Sequence, residues 1–253
     1  MRRILRLWIL LGTLAAAAGC GGTLQETRGG TADYERAKAA LEQGDYLDAI
    51  ADFKSYIELF PGTDKTDDAL FYLGRAYIQQ KDFALASGQL DRLLRDFPGT
   101  PFQAEALYEL ARCDDLQSHS APLDQSETLR ALSRYNQFLE QHPAHAKAAD
   151  AEARVRMLKD RLAEKRYRTG RLYHKLHQET AATMSLRVVL SDYPDSKWAP
   201  EAALLLADVL VKQGRQEEAI ETLKKLQASL SDGEIRKRAD ERLRSLERSG
   251  TPR

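Results

Sequence analysis

From Leu70 to Pro98 the apolar positions fall at Leu70, Leu73, Gly74 and Tyr77, then at Phe83, Ala86, Leu90 and Leu93, with Pro98 behind them. Steps of three and four residues predict two short helices, and the polar run Gln79-Gln80-Lys81-Asp82 predicts the turn that joins them. Gly74 and Ala86 stand twelve residues apart, one on each helix, where a minimal side chain lets two helices cross closely. Pro98-Gly99 stops the second helix. The stretch reads as a helical hairpin.

The pattern recurs. Small residues pair at Ala37/Ala49, Gly170/Ala182 and Ala207/Ala219, each twelve apart, and at Ala111/Ala131, twenty apart, so the chain holds five hairpins. Their first-helix members are spaced by 37 from Ala37 to Gly74 to Ala111, and again from Gly170 to Ala207. The turns Phe60-Pro61-Gly62-Thr63, Phe97-Pro98-Gly99-Thr100, His142-Pro143-Ala144-His145 and Tyr193-Pro194-Asp195-Ser196 keep this register, and Ser231-Asp232-Gly233 falls where a fifth is expected. The pattern resembles the tetratricopeptide (TPR) repeat, whose period is about 34. The expected fold class is therefore all-α: an α-α superhelix, or solenoid, over residues 31–233, with hairpins at about 31–63, 64–100, 101–145, 146–196 and 197–233.

Two intervals break the register. Pro98 to Pro143 spans 45 residues, eight too many, and the surplus falls in the polar segment Asp114 to Glu127, expected as a protruding loop containing Pro122. Pro143 to Pro194 spans 51, fourteen too many, and that surplus falls in Lys147 to Leu162, which has no proline or glycine. Fourteen residues make nearly four turns at about 3.6 residues each, so a single long helix is expected from about Ala146 to Leu176, crossing its partner at Gly170. Beyond the repeats, Glu234 to Arg248 is charged with Ile235, Leu243 and Leu246 on one side, which suits a capping helix, with a tail to residue 253.

With 253 residues, 43% of them hydrophobic, the chain can bury a sizeable core. Lysine plus arginine and aspartate plus glutamate both number 38, so no basic excess points to nucleic acid. No phosphate-binding Gly-x-x-x-x-Gly-Lys-Ser/Thr loop, nucleophile elbow or Cys-x-x-Cys occurs, and a non-catalytic chain is expected. His142/His145 and His174/His177 have a spacing that could hold a metal, but the first pair fills turn slots, the second closes the long helix, and no third ligand stands nearby. Neither a metal nor a diffusible cofactor is expected.

At the N-terminus, Arg2, Arg3 and Arg6 precede an apolar stretch from Ile4 to Leu14 and a small-residue run ending at Cys20. Residues 1–19 read as a signal peptide. Ala17-Ala18-Gly19-Cys20 resembles a bacterial lipobox, with Ala17 where leucine is usual. The resemblance implies a covalent lipid on Cys20, and Gly21 in place of aspartate implies sorting to the outer membrane. Cys113 is the only other cysteine, so no disulfide is available to a lipidated chain, and Cys113 is expected to be a buried helical residue. Cleavage before Cys20 removes three arginines and no acid, leaving 35 minus 38, or a net −3. Residues 20–30 are expected to form a lipidated flexible tether.

In the 37-residue register an aromatic is followed one helical turn later by a cation on four first helices: Tyr34/Lys38, Phe71/Arg75, Tyr108/Arg112 and Tyr167/Arg171. Leu204 and Asp208 replace the pair in the fifth hairpin. The first helices of TPR-like hairpins line the concave surface, so these eight residues are a candidate peptide-binding groove. For the rings, simple packing explains the slot equally well; the cations have no core role.

The lipobox, the five hairpins, the aromatic-Pro-x-Ser/Thr turns and Arg161-Leu162-Ala163-Glu164 leading into the fourth hairpin together resemble the BamD family of the outer-membrane β-barrel assembly machinery, over residues 14 to about 230. The resemblance implies a scaffold lipoprotein anchored in the outer membrane and facing the periplasm. Its implied partners are the POTRA domains of the barrel insertase, bound by the C-terminal hairpins, other lipoproteins of the complex, and the targeting segments of unfolded outer-membrane proteins, bound by the N-terminal hairpins. The competing expectation is a TPR lipoprotein adaptor of the Tol-Pal or polysaccharide-export systems. Residues 21–30 lack the heptads of a coiled coil, which disfavours the Tol-associated form. Cys20→Ala is expected to release the chain from the membrane fraction; retention after a carbonate wash would contradict lipidation at that thiol.

Overall fold

The computed structural model describes residues 22–231 and 233–249, and among them every regular element is helical. The helices are α1 (Gly22–Gln43), α2 (Tyr46–Leu59), α3 (Thr66–Gln79), α4 (Phe83–Asp96), α5 (Gln103–Gln117), α6 (Ser126–Gln141), α7 (Ala148–Lys175), α8 (Glu179–Asp192), α9 (Ala199–Lys212), α10 (Gln216–Ser229) and α11 (Glu234–Ser249). The chain divides into one compact unit ending at Ala106 and a second beginning at Leu107. The first holds the hairpins α1/α2 and α3/α4; α5 runs into the second, which holds α6, the hairpins α7/α8 and α9/α10, and α11. The fold class is an α-α solenoid of TPR-like hairpins.

The small residues do what their spacing predicts. Ala37, Ala49, Ala86, Ala111, Ala131, Ala182 and Ala219 are fully buried. A Cβ on Gly74 would lie 2.9 Å from Leu90 Cγ, and one on Gly170 would lie 2.7 Å from Leu186 Cγ, so a glycine is required at both crossings.

The turns inside the hairpins share one device. Gly44, Lys81, His177 and Gly214 all have φ between 57° and 87°, and Lys81 and Gly214 stand 37 residues after Gly44 and His177. The next residue's N–H reaches back to the carbonyl five before it: Asp45 to Ala40, Asp82 to Tyr77, Gln178 to Tyr173 and Arg215 to Leu210, each 2.9 Å. His177 is thus a left-handed turn residue. Between hairpins, Phe60, Phe97, His142 and Tyr193 cap their helices with nearly the same backbone, φ −127° to −134° and ψ 50° to 67°. Leu230, at φ −111° and ψ 130°, has no such turn, and Asp232 lies outside the described residues.

The long helix is α7, 28 residues. Its first half buries Ala151, Val155 and Leu158, and its second carries Gly170 to the crossing with α8. α11 packs on α9 and α10 and repeats the buried face of α9 one register later: Ala202, Leu206 and Val209 become Ala239, Leu243 and Leu246. It stands where the first helix of a sixth hairpin would fall. Arg238 binds Glu201 through two bonds of 2.7 and 3.1 Å, and Arg242 binds Asp208 at 2.8 and 2.9 Å.

Two expectations are corrected. The tether over residues 20–30 is helical from Gly22 onward, as a leading part of α1. Gly30 is not a flexible hinge there: a Cβ on it would meet the Phe60 ring at 3.2 Å, so its bareness admits that ring. Extending a formed helix is also cheaper than starting one. The segment 114–127 is not a protruding loop either. α5 continues to Gln117, and Asp114 is buried against Arg134 at 3.1 Å and Arg130 at 3.3 Å. The remaining connection, 118–125, is held inward by Gln125, whose buried amide donates to the carbonyls of Ser120, Leu123 and Asp124. The signal peptide and Cys20 lie outside the described residues; Cys113 is fully buried.

Gly74→Ala and Gly170→Ala are each expected to cost about 1–3 kcal/mol by overpacking the crossing. Gly88→Ala on α4, where a Cβ meets nothing within 4 Å, is expected to gain about 0.5–1 kcal/mol. Urea denaturation of the three variants checks the contrast.

Candidate functional site

The first helices place the aromatic and cationic rungs on different surfaces. Tyr34, Phe71 and Tyr108 are buried, at 2%, 5% and 7% exposure, so three of the four rings belong to the core. Tyr34 packs on Phe53 and Tyr56 and donates its hydroxyl to Asp68 Oδ2 at 3.1 Å. Phe71 stacks on Phe102, with centroids 4.4 Å apart. Tyr108 lies edge-on to Tyr135 and Phe138 and donates its hydroxyl to Asp150. Tyr167, half-buried, stacks on Trp198 at 5.2 Å. The rings expected to grip a peptide are packed, because one turn of helix cannot turn the same ring both into its hairpin and out of it.

The cations divide by unit. In the first unit Lys38 on α1 and Arg75 on α3 line one cavity of about 430 Å³, with Leu41, Glu42, Tyr46, Tyr72 and Gln79. Lys38 Nζ lies 5.6 Å from the Tyr72 ring centroid, and the Arg75 guanidinium 5.9 Å from that of Phe71. Tyr72 is held from behind by a stack on Phe53 at 6.1 Å. Two cations and two half-buried rings therefore share one concave surface, which suits a carboxylate beside an aromatic or aliphatic side chain. In the second unit Arg112 is engaged by buried Glu109 at 2.9 Å, which also takes Lys147 at 3.0 Å. Lys147 Nζ covers the Tyr108 ring at 4.2 Å. Arg171 is exposed, 5.9 Å from the Tyr167 ring.

Tyr46 and Tyr72 were not among the expected rungs. Tyr72 follows Phe71, and one residue rotates about 100° around a helix, onto the face shared with Arg75 and Gln79. Reading that face by steps of three and four would have found it. Its register partners, Glu35 and Glu109, are not aromatic, so no repeat betrays it.

Four of the five histidines sit at helix ends and turns: His142 caps α6, His145 follows in the same turn, and His174 and His177 close α7. His174 Nδ1 lies 2.6 Å from Glu179 Oε2, and no group of three His, Cys, Asp or Glu among the described residues could hold a metal. No described helix is long and apolar enough to cross a membrane.

A family model described as YfiO, outer membrane lipoprotein, matches residues 30–226. The chain belongs to that family. The YfiO match runs from within α1 to within α10 and excludes α11. A curated relative of this YfiO chain, the outer membrane protein assembly factor BamD of Caulobacter vibrioides, is 28% identical over 211 residues, 81% of this chain and 69% of its own. Among solved structures, a tetratricopeptide repeat protein from Parabacteroides merdae is 16% identical over 88% of this chain and 94% of its own, with a TM-score of 0.41. MamA from Desulfovibrio magneticus is 15% identical over 88% and 97%, with a TM-score of 0.38.

Burial, and then the bond to Asp150, pushes the Tyr108 hydroxyl up to about 12 from its usual 10.0. Burial raises Tyr34 and Tyr135 as well. A group whose folded pKa is raised contributes stability that is complete below the unfolded value and is lost as pH climbs through the folded one. Tyr108→Phe is therefore expected to cost about 1 kcal/mol at neutral pH. That difference should shrink between about pH 10 and 12, read by urea denaturation across that range.

Proposed function

We propose that this YfiO-family chain is a non-catalytic scaffold of outer-membrane protein assembly, anchored by a lipid on Cys20 with its hairpins in the periplasm. Its first unit receives the targeting segment of unfolded barrel proteins. The cavity shared by Lys38, Arg75, Tyr46 and Tyr72 is the observation that carries this reading: two cations take a terminal carboxylate while the rings pack its last side chains. The Caulobacter relative is an outer membrane protein assembly factor, which supports the same setting. Docking of insertase POTRA domains falls to the hairpins of the second unit, where Arg112 is tied to Glu109.

The double variant Lys38→Glu/Arg75→Glu is expected to lose photo-cross-linking to a peptide ending in an aromatic residue with a free carboxylate, by about tenfold or more. Arg112→Glu should have a small effect, because Arg112 does not line that cavity. Undiminished cross-linking by a double variant with wild-type helicity would overturn the assignment.

A further inference from the structure

The two departures from the 37-residue register meet in space. Residues 118–125, from the eight-residue surplus, lie against the middle of α7, which holds the fourteen-residue surplus. Arg161 donates to Ser118 Oγ, and Lys165 Nζ donates to the Leu123 carbonyl at 2.6 Å. The turn before α9 joins them, since the Lys197 backbone N–H donates to Asp160 Oδ1 at 2.9 Å. Between these three segments is a cavity of about 590 Å³ whose lining includes Pro122, Met157, Arg161, Glu164, Arg168 and Lys197. Met157 is 57% exposed on its lining, and Leu123, in the connection beside it, is 54% exposed.

Charge is concentrated here. α7 carries nine lysines and arginines against four acids, a net +5, so the other residues of a chain that balances to zero sum to −5. Arg168 is paired with Glu164 at 2.6 Å, whereas the Lys197 ammonium makes no ion pair among the described residues and lies 6.0 Å from the Trp198 ring. The surface thus combines an uncommitted cation, further cations held in place, and exposed apolar side chains around a concave floor.

We propose that this groove docks an acidic segment of a partner protein, one that presents carboxylates to Lys197 and Arg161 and an apolar side chain to Met157. A protein segment fits better than a flat anionic bilayer, because a bilayer cannot fill a concavity, whereas a chain can set its acids opposite Lys197 and Arg161 and clear of Asp160 and Glu164. The site lies wholly in the second unit and shares no residue with the Lys38/Arg75 cavity, so either assignment can fail alone.

The test is fluorescence anisotropy with the full-length chain and a labelled peptide in which glutamates alternate with leucines. With the peptide amidated at its C-terminus, binding is expected to weaken with salt, to fall about tenfold or more in Lys197→Glu and in Met157→Asp, and to stay unchanged in Lys54→Glu, an exposed cation that lines neither cavity. Circular dichroism checks that each variant is folded; Lys197→Ala and Met157→Gln, gentler changes at the same exposed positions, serve if either is not. Absence of binding to the wild type, or equal binding by the Lys197 and Met157 variants, would overturn the proposal. Retention on phosphatidylglycerol vesicles that those substitutions abolish, with peptide binding untouched, would also overturn it and assign the groove to a membrane surface.

Discussion

Close crossing of two helices at a residue with almost no side chain is the constraint on which this chain depends. Gly74 meets Leu90 and Gly170 meets Leu186 at distances that leave no room for a methyl group. Helices this near each other turn their other faces outward in a set register, and stacking follows from that register. The 37-residue period is the outcome: the left-handed residues at 44 and 81, and at 177 and 214, and the four matching aromatic or histidine caps repeat because each hairpin must close at the same place before the next can begin. Where the chain departs from the period, the surplus falls in the connection of the third hairpin and in the first part of α7, and Ala111, Ala131 and Ala182 still come to their crossings fully buried.

Each first helix then divides its surface among three duties. One face crosses the second helix, another packs against a neighbouring hairpin, and what is left can meet a ligand. The aromatic slot serves the first two at once: the ring packs into its own hairpin, Tyr34 on Phe53 and Tyr56 and Tyr108 on Tyr135 and Phe138, while an acid from the next first helix latches the hydroxyl, Asp68 for Tyr34 and Asp150 for Tyr108. At the end of the chain the latch position is kept but its chemistry changes, and Glu201 holds Arg238 of α11 instead. The cation one turn beyond the ring escapes both packing duties. In the first unit that leaves Lys38 and Arg75 facing one cavity; in the second, Glu109 claims Arg112.

Most of the fold was legible because its signals repeat. Small pairs twelve apart, turns 37 apart and a fourteen-residue surplus without helix breakers led to the hairpins and to α7, whose observed ends, Ala148 and Lys175, lie within two residues of the expected ones. Signals that do not repeat were misread. Asp114 and Asp115 look like loop residues until Arg130, Arg134 and Arg154 are placed beside them, and that pairing depends on tertiary contacts no local pattern encodes. Gly29-Gly30 looks like a tether until the Phe60 ring is seen to need Gly30 bare. The candidate site was half legible: a register shows that Lys38 and Arg75 are equivalent, but not that the rings before them are consumed by packing while Tyr72, one residue on, lines the cavity.

In our proposal the first two hairpins recognise a terminal carboxylate through Lys38 and Arg75. It is tested most directly by comparing, on the wild-type chain, the affinity of one aromatic-ended peptide as its free acid and as its C-terminal amide. The acid is expected to bind about tenfold tighter or more, with the gap closing as salt is raised. Equal affinities at low salt would contradict it.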